Sequence, residues 1–337
     1  MRLRTPALLL FAILAGAAPV LAEGRPVKVV IAPFLSFAPI LIADEEGFFT
    51  GRGLDIEFVK LNMTAEAFPV LAQGKIDVLA GHMAPSPMNL IARGGRVRIV
   101  ADKGRHDPEG CTYAALMASK ELLASGRLNE PGGLRGLRFT TERTDPSFYM
   151  IGTVLRRAGL GIEDIRILDV PQVAKRKAFE DGAIDVASAS EPWLTIIADG
   201  GRAAPWKPNR EILPGFQMGV VIFGPTLLDE DPETGVRFMT AYLEGVRRYH
   251  EGKTERNVEI LARRTGLDPE LVRRTCWISV REDGMIDGES IVAYQEWAFE
   301  EGLVDRVVPV SEFWEPRFAR EAAARLDRGD GVAGEGR

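Results

Sequence analysis

The chain has 337 residues, 46% of them hydrophobic and 27% charged, with a formal net charge of −6. That length matches about two domains of ~100 to 200 residues each. The acidic balance and the lack of any basic run argue against nucleic acid or an anionic membrane surface as a partner.

Met1 to Ala22 carries arginines at 2 and 4, an apolar run from Ala7 to Ala18, and small residues at the cleavage-determining positions of Val20-Leu21-Ala22. This is the pattern of a secretory signal peptide. The apolar run is shorter than the ~20 residues of a membrane span, and no cysteine follows it to take a lipid. A soluble exported protein is expected, and loss of Arg2 and Arg4 moves its charge from −6 to −8.

Beyond the leader, one layout occurs twice. Apolar strands at Val27 to Ala32 and Leu54 to Val59 recur as Leu137 to Thr141 and Ile165 to Val170. Helical patterns at Pro39 to Phe49 and Glu66 to Gln73 recur as Ser147 to Ala158 and Val173 to Asp181. Each unit ends on nearly the same phrase, Gly74-Lys75-Ile76-Asp77-Val78 and Gly182-Ala183-Ile184-Asp185-Val186. Glycine there suits a left-handed helix stop, and the apolar residues after it suit a third strand. Both units are therefore β-α-β-α-β, and a duplicated scaffold places function between its copies.

Val97 to Val100 predicts one more strand in the first unit. Extended crossings between the units are expected at Thr112 to Met117 and at Met218 to Phe223, which makes a two-strand hinge. Past Gly224 the pattern turns helical, with Val236, Met239, Leu243 and Val246 spaced by three and four, then Val258, Leu261 and Val272, and a helix over Ile291 to Glu301. Leu326 to Arg337 is rich in glycine and charge and is expected to be disordered. Cys111 and Cys276 are compatible with one disulfide in an oxidising compartment or with two free thiols, and do not make a metal site.

Catalytic motifs fail one by one. Gly252-Lys253-Thr254 lacks the glycine five positions earlier that a phosphate loop needs, since Arg247 stands there. His250-Glu251 is followed at 254 by threonine and not by a second zinc-binding histidine, and only His82, His106 and His250 exist. A Gly-x-Ser-x-Gly elbow is absent, and so is a dinucleotide Gly-x-Gly-x-x-Gly that follows a strand. Asn62-Met63-Thr64 is a chance-level glycosylation sequon.

In doubly wound sheets, ligands collect beyond the carboxyl ends of the strands. The duplication names those loops. After the first strands come Pro33 to Phe37 and Glu142 to Ser147, with Ser36 and Thr144 or Asp145 as N-cap candidates and Pro146 suited to the first helical position. After the third strands come Gly81 to Ser86 and Ser188 to Trp193. Candidate ligand-binding residues are accordingly Ser36, Phe37, His82, Met83, Arg143, Thr144, Asp145, Ser190, Glu191 and Trp193. Trp193 is either a stacking face for a ligand ring or a core residue below the cleft, and His82 either a pocket donor or a structural histidine. Tyr149 and Phe216 are further aromatic candidates. Positive and negative side chains are balanced in these loops, which favours a small organic ligand with a ring.

The run Ala38 to Phe49, then Gly53-Leu54-Asp55-Ile56, the Gly74 to Val78 phrase and Glu191-Pro192-Trp193 together resemble periplasmic substrate-binding proteins of the nitrate, sulfonate and taurine (NitT/TauT) type, a group that includes relatives of the thiamine-pyrimidine synthases. The resemblance covers Val27 to the helices after Gly224. It implies a type II periplasmic binding protein fold, α/β, with two doubly wound lobes joined by a two-strand hinge. Lobe I would comprise 27–111 and 224–322, lobe II 112–223 with both hinge crossings, after a signal peptide at 1–22 and before a disordered tail at 326–337. The implied role is capture of a ring-containing molecule or small acid between the lobes and delivery to the permease of an ABC importer. Such a protein is a soluble periplasmic monomer without cofactor, metal or catalysis. Alternatives are a pyrimidine-synthase-like enzyme holding pyridoxal phosphate on a lysine, and a ligand-sensing receptor domain. The absence of a basic cluster in the cleft loops departs from the oxyanion binders of the family.

Overall fold

The structure is a computed structural model that describes residues 25–32, 34–60, 64–141 and 143–329. The proposed signal peptide, the sequon residues Asn62 and Met63, the loop residues Pro33 and Glu142, and the stretch 330–337 lie outside them.

Among the described residues, ten strands form two five-stranded sheets. They are β1 Val27–Ile31, β2 Ile56–Lys60, β3 Val78–His82, β4 Arg98–Arg105, β5 Ala114–Ser119, β6 Arg138–Thr140, β7 Arg166–Leu168, β8 Val186–Ser190, β9 Ala203–Pro208 and β10 Gln217–Phe223. The orders β2-β1-β3-β10-β4 and β7-β6-β8-β5-β9 are the same pattern twice. In each, three parallel strands from the repeat are followed by two strands flanking the passage between lobes.

The repeated phrase has one structural job in both lobes. Gly74 and Gly182 close their helices with φ of +68° and +64°, conformations open to glycine. The isoleucine two positions on is buried, and the aspartate after it fastens the start of the first strand. The Lys28 N–H donates to Asp77 Oδ2 at 2.9 Å and the Arg138 N–H to Asp185 Oδ2 at 2.7 Å. The aspartate carbonyls then accept from Gly224 and Ser119, both at 3.0 Å, which ties in the neighbouring strand. Arg25 and Arg138 complete the charge pairs.

The passages between lobes differ from expectation. Thr112 to Met117 mostly belongs to β5, and Met218 to Phe223 lies within β10, a fully buried strand between β3 and β4. Both runs are apolar because they are central strands; the links themselves are 106–113 and 209–216. These links pair with each other, His106 N–H to the Phe216 carbonyl at 3.0 Å and Gly215 N–H to the His106 carbonyl at 2.8 Å.

The C-terminal helices pack on the first lobe, led by Pro232–His250, in which Val236, Met239, Leu243 and Val246 are all buried. Leu326, expected to open a disordered tail, instead ends the buried face of helix Arg317–Asp327 with Phe318, Ala319 and Ala322. Its spacing of four from Ala322 keeps it on that face. The helix Gly288–Glu300 also reaches the second lobe. Trp297 lies against Gly152, where a Cβ would come within 2.9 Å of the indole; the rings of Phe148, Tyr149 and Tyr294 pack around it, and Phe216 joins them through Tyr149 and Tyr294. Cys111 and Cys276 form a disulfide with Cα atoms 5.8 Å apart, tying a link segment to the C-terminal region. Among the described residues no helix is long and apolar enough to cross a membrane.

Candidate functional site

The carboxyl ends of β1, β3, β6 and β8 open on one cavity of about 480 Å³ between the lobes. The first lobe contributes Phe34, Ser36, Phe68, His82, Met83 and Met218, among others. Opposite them stand Thr141, Ser147, Lys175, Ser188, Ser190 and Trp193, with Tyr113 and Asn209 on the two links or their edges.

On the second-lobe side, Asp145 is the N-cap of the helix Pro146–Arg157, accepting from the Ser147 N–H at 2.7 Å, and Pro146 holds the first helical position. Buried Thr141 and Ser147 share a hydrogen bond at 2.6 Å. Lys175 is 6% exposed and its ammonium donates to the Ser188 carbonyl at 2.9 Å. It is the single lysine or arginine among the described residues that line the cavity. Trp193 is half-buried, with Leu194 and Ile197 in the core behind it and the cavity on its other side.

On the first-lobe side, Ser36 does not cap a helix. It sits inside a tight turn, Leu35–Phe37, and Phe37 takes the N-cap position with no side-chain bond. The Ser36 hydroxyl accepts instead from Lys103 at 3.3 Å, and the Lys103 ammonium lies 4.1 Å from the centre of the Phe37 ring. Burial pushes the Lys103 amine down, against the pull of Asp102. Burial raises the Asp102 carboxyl, opposed by donors from Arg281, Gln217 and Gly104. Burial, with Lys103 nearby, lowers His82 to about 3, so its imidazole is neutral at physiological pH. The Tyr113 hydroxyl faces Ser36 of one lobe and Ser190 of the other, and burial holds its phenol well above the usual range.

Of the ten candidates read from the sequence, Ser36, His82, Met83, Thr144, Asp145, Ser190 and Trp193 come together around the cavity. Phe37, Arg143 and Glu191 do not line it. Phe37 is 4% exposed and serves Lys103 from behind; Arg143 is exposed and stacks over Phe148 at 5.3 Å. Glu191 accepts from the Thr195 hydroxyl at 2.9 Å and from the Cys276 N–H at 3.3 Å, a structural role in which burial raises its pKa. Tyr149 and Phe216 belong to the aromatic seam around Trp297. Sequence reasoning missed Lys175, Tyr113, Thr141, Ser147, Ser188 and Asn209. Ser147 and Ser188 lay in loops already singled out, and Thr141 was read as the last residue of a strand; none carried distinguishing chemistry. Lys175 follows the second strand of its repeat, a position no loop argument covered, and Asn209 enters through the packing of a link.

Two sheets of this order facing a shared cleft define a type II binding fold. The chain belongs to the NMT1/THI5-like family, whose model matches residues 35–253. A protein from Bacillus subtilis (strain 168) described as binding aliphatic sulfonates is 22% identical over 305 residues, 85% of each chain. The ligand-binding component of an ABC-type import system from Staphylococcus aureus, solved with zinc bound, superposes with a TM-score of 0.73 at 15% identity, covering 89% of this chain and 99% of that one. The desulfurization enzyme DSZB shares the fold at a TM-score of 0.62 and 14% identity, with 89% and 99% covered. No group of three or more His, Cys, Asp or Glu among the described residues is placed to hold a metal ion.

Proposed function

We propose that this protein is an exported solute receptor that closes its lobes on a small organic acid with a ring or apolar body and passes it to the permease of an ABC importer. The observation that carries this reading is the cavity of about 480 Å³ lined from both lobes, a volume suited to a small-molecule ligand. Capture between lobes joined by paired links gives the mechanism: contacts from both walls exist only in the closed state, so the ligand shifts the population toward it. Lys175 supplies one positive charge, Ser188 and the hydrogen-bonded Thr141–Ser147 pair bring hydroxyls, and Phe68, Met83 and Trp193 supply apolar surface. That composition suits a monoanion with an organic body better than a bare oxyanion. Periplasmic location rests on the leader pattern, and a monomer on the resemblance. The aliphatic sulfonates named for the Bacillus relative contain an acid and an apolar body, as this reading requires.

A second reading is favoured by Lys175 itself. A pyridoxal phosphate imine would need a lysine at the cleft, and Lys175 lines the cavity of a fold that an enzyme also uses. Mass spectrometry of molecules that co-purify, followed by X-ray scattering with and without them, separates the two readings. The receptor compacts on binding and releases its solute unchanged. A lysine-imine absorbance after incubation with pyridoxal phosphate, or tight binding with no change of shape, decides against it.

A further inference from the structure

Asn209 is 2% exposed, lines the cavity, and has a side-chain oxygen buried with no hydrogen-bond partner among the described residues. A buried amide oxygen left unmatched is destabilising, so such a group in a ligand cleft points to a partner that arrives with the ligand. Its position is firmly held. Pro208 before it pairs with Ala115 of β5, its own carbonyl accepts from the Leu213 N–H at 2.8 Å, and Arg157 donates to the Ile212 carbonyl at 2.8 Å. Its cavity neighbours from the links and adjoining strands are Tyr113, Ala114 and Met218. Tyr113 is engaged by Ser36 and Ser190, while alanine and methionine side chains have no donor to give.

We infer that Asn209 selects solutes that carry an O–H or N–H donor on the end that reaches the floor of the cleft beside the links. This rests on the receptor reading and sharpens it. The acid end would lie on the Lys175 side, the ring against Trp193 and Phe68, and the donor on Asn209 Oδ1. The ligand class is a hydroxy- or amino-substituted aromatic monoanion. Selection works as in other sites built to pair a substrate hydroxyl, which reject an analogue lacking it because their own polar group is left unmatched.

The test is calorimetric titration of the mature chain with para-hydroxybenzoate, para-aminobenzoate and para-methylbenzoate, which share an acid and a ring and differ in the donor. The wild type should bind the hydroxy or amino compound at least about tenfold more tightly than the methyl compound, the effect of one hydrogen bond of ~1.4 kcal/mol. Asn209→Leu should shrink that ratio to less than about twofold. Asn209→Asp, which keeps an acceptor oxygen in the same place, should retain the preference and so separate a lost hydrogen bond from a damaged link. Equal binding of all three compounds by the wild type overturns the inference, as does a preference that survives Asn209→Leu. Failure of all three while a co-purified solute still closes the lobes overturns the inference and leaves the receptor standing. Failure of every solute to change the protein's shape removes the receptor reading as well.

Discussion

Asp77 and Asp185 occupy matching places in the two lobes and make matching bonds, each accepting from the N–H at the start of the first strand and donating its own N–H back to that residue's carbonyl. At the other ends of the same strands the likeness stops. The first lobe brings phenylalanines, methionines and a neutral histidine to the cavity, whereas the two charged side chains among the described lining residues, Asp145 and Lys175, come from the second. The duplication thus preserves the part of each lobe that folds and leaves free the part that meets a ligand. Strand starts are bound to one geometry by backbone hydrogen bonding, while loops at strand ends answer only to what they hold.

The sharpest way to break that comparison is at the shared aspartates. Asp77→Ala unpairs the Lys28 N–H and Arg25 at a side chain 1% exposed, and should cost about 3 kcal/mol. Asp185, with its side chain 21% exposed, should cost less, about 2 kcal/mol. Hydrogen exchange should show each loss confined to its own sheet; loosening of both sheets by either variant would mean that the lobes do not fold as separate units.

The links are tested by acid. Burial lowers His106 to about 4 from its ordinary 6.5, so the unfolded chain binds a proton that the folded chain does not. The stability this contributes is present above pH 6.5 and is lost as pH falls toward 4, by up to about 3 kcal/mol. Denaturant titrations of wild type and His106→Gln across that interval should diverge, with the variant flatter; parallel curves would show that His106 protonates without opposing the fold.

The cleft walls come next. Trp193→Ala should weaken solute binding by about 1 to 2 kcal/mol with little change in melting, if the indole stacks on the ligand. An unchanged affinity would assign the tryptophan to the core behind it. The smallest effect is expected at Arg143, which stacks on Phe148 outside the cavity. Arg143→Ala should alter binding by less than about 0.5 kcal/mol, and a larger loss would bring that arginine into the closed site.

Much of the scaffold was legible because it obeys local rules. Apolar runs placed β1, β2, β6 and β7 within two residues, although β4 continues to Arg105, past the expected Val100, and Asp145-Pro146 announced a helix start that the structure confirms. The errors share a cause. Met218 to Phe223 was placed in a crossing because an apolar run between turn signals looks the same whether it links two lobes or runs through the middle of a sheet. Phe37 and Glu191 sit in the right loops with side chains committed elsewhere, to Lys103 and to Cys276, partners 66 and 85 positions away that no local pattern names.

The amino-acid order alone settled the duplication, the helix stops at Gly74 and Gly182, and the loops from which a cleft would be built, since each depends on backbone preferences a few residues wide. Only the folded arrangement decided that Cys111 meets Cys276, that Trp297 bridges to Gly152, and which seven of ten candidate side chains face one cavity. Those outcomes turn on distance between remote segments and on which way a side chain packs, and packing is a property of neighbours that the chain acquires when it closes on itself.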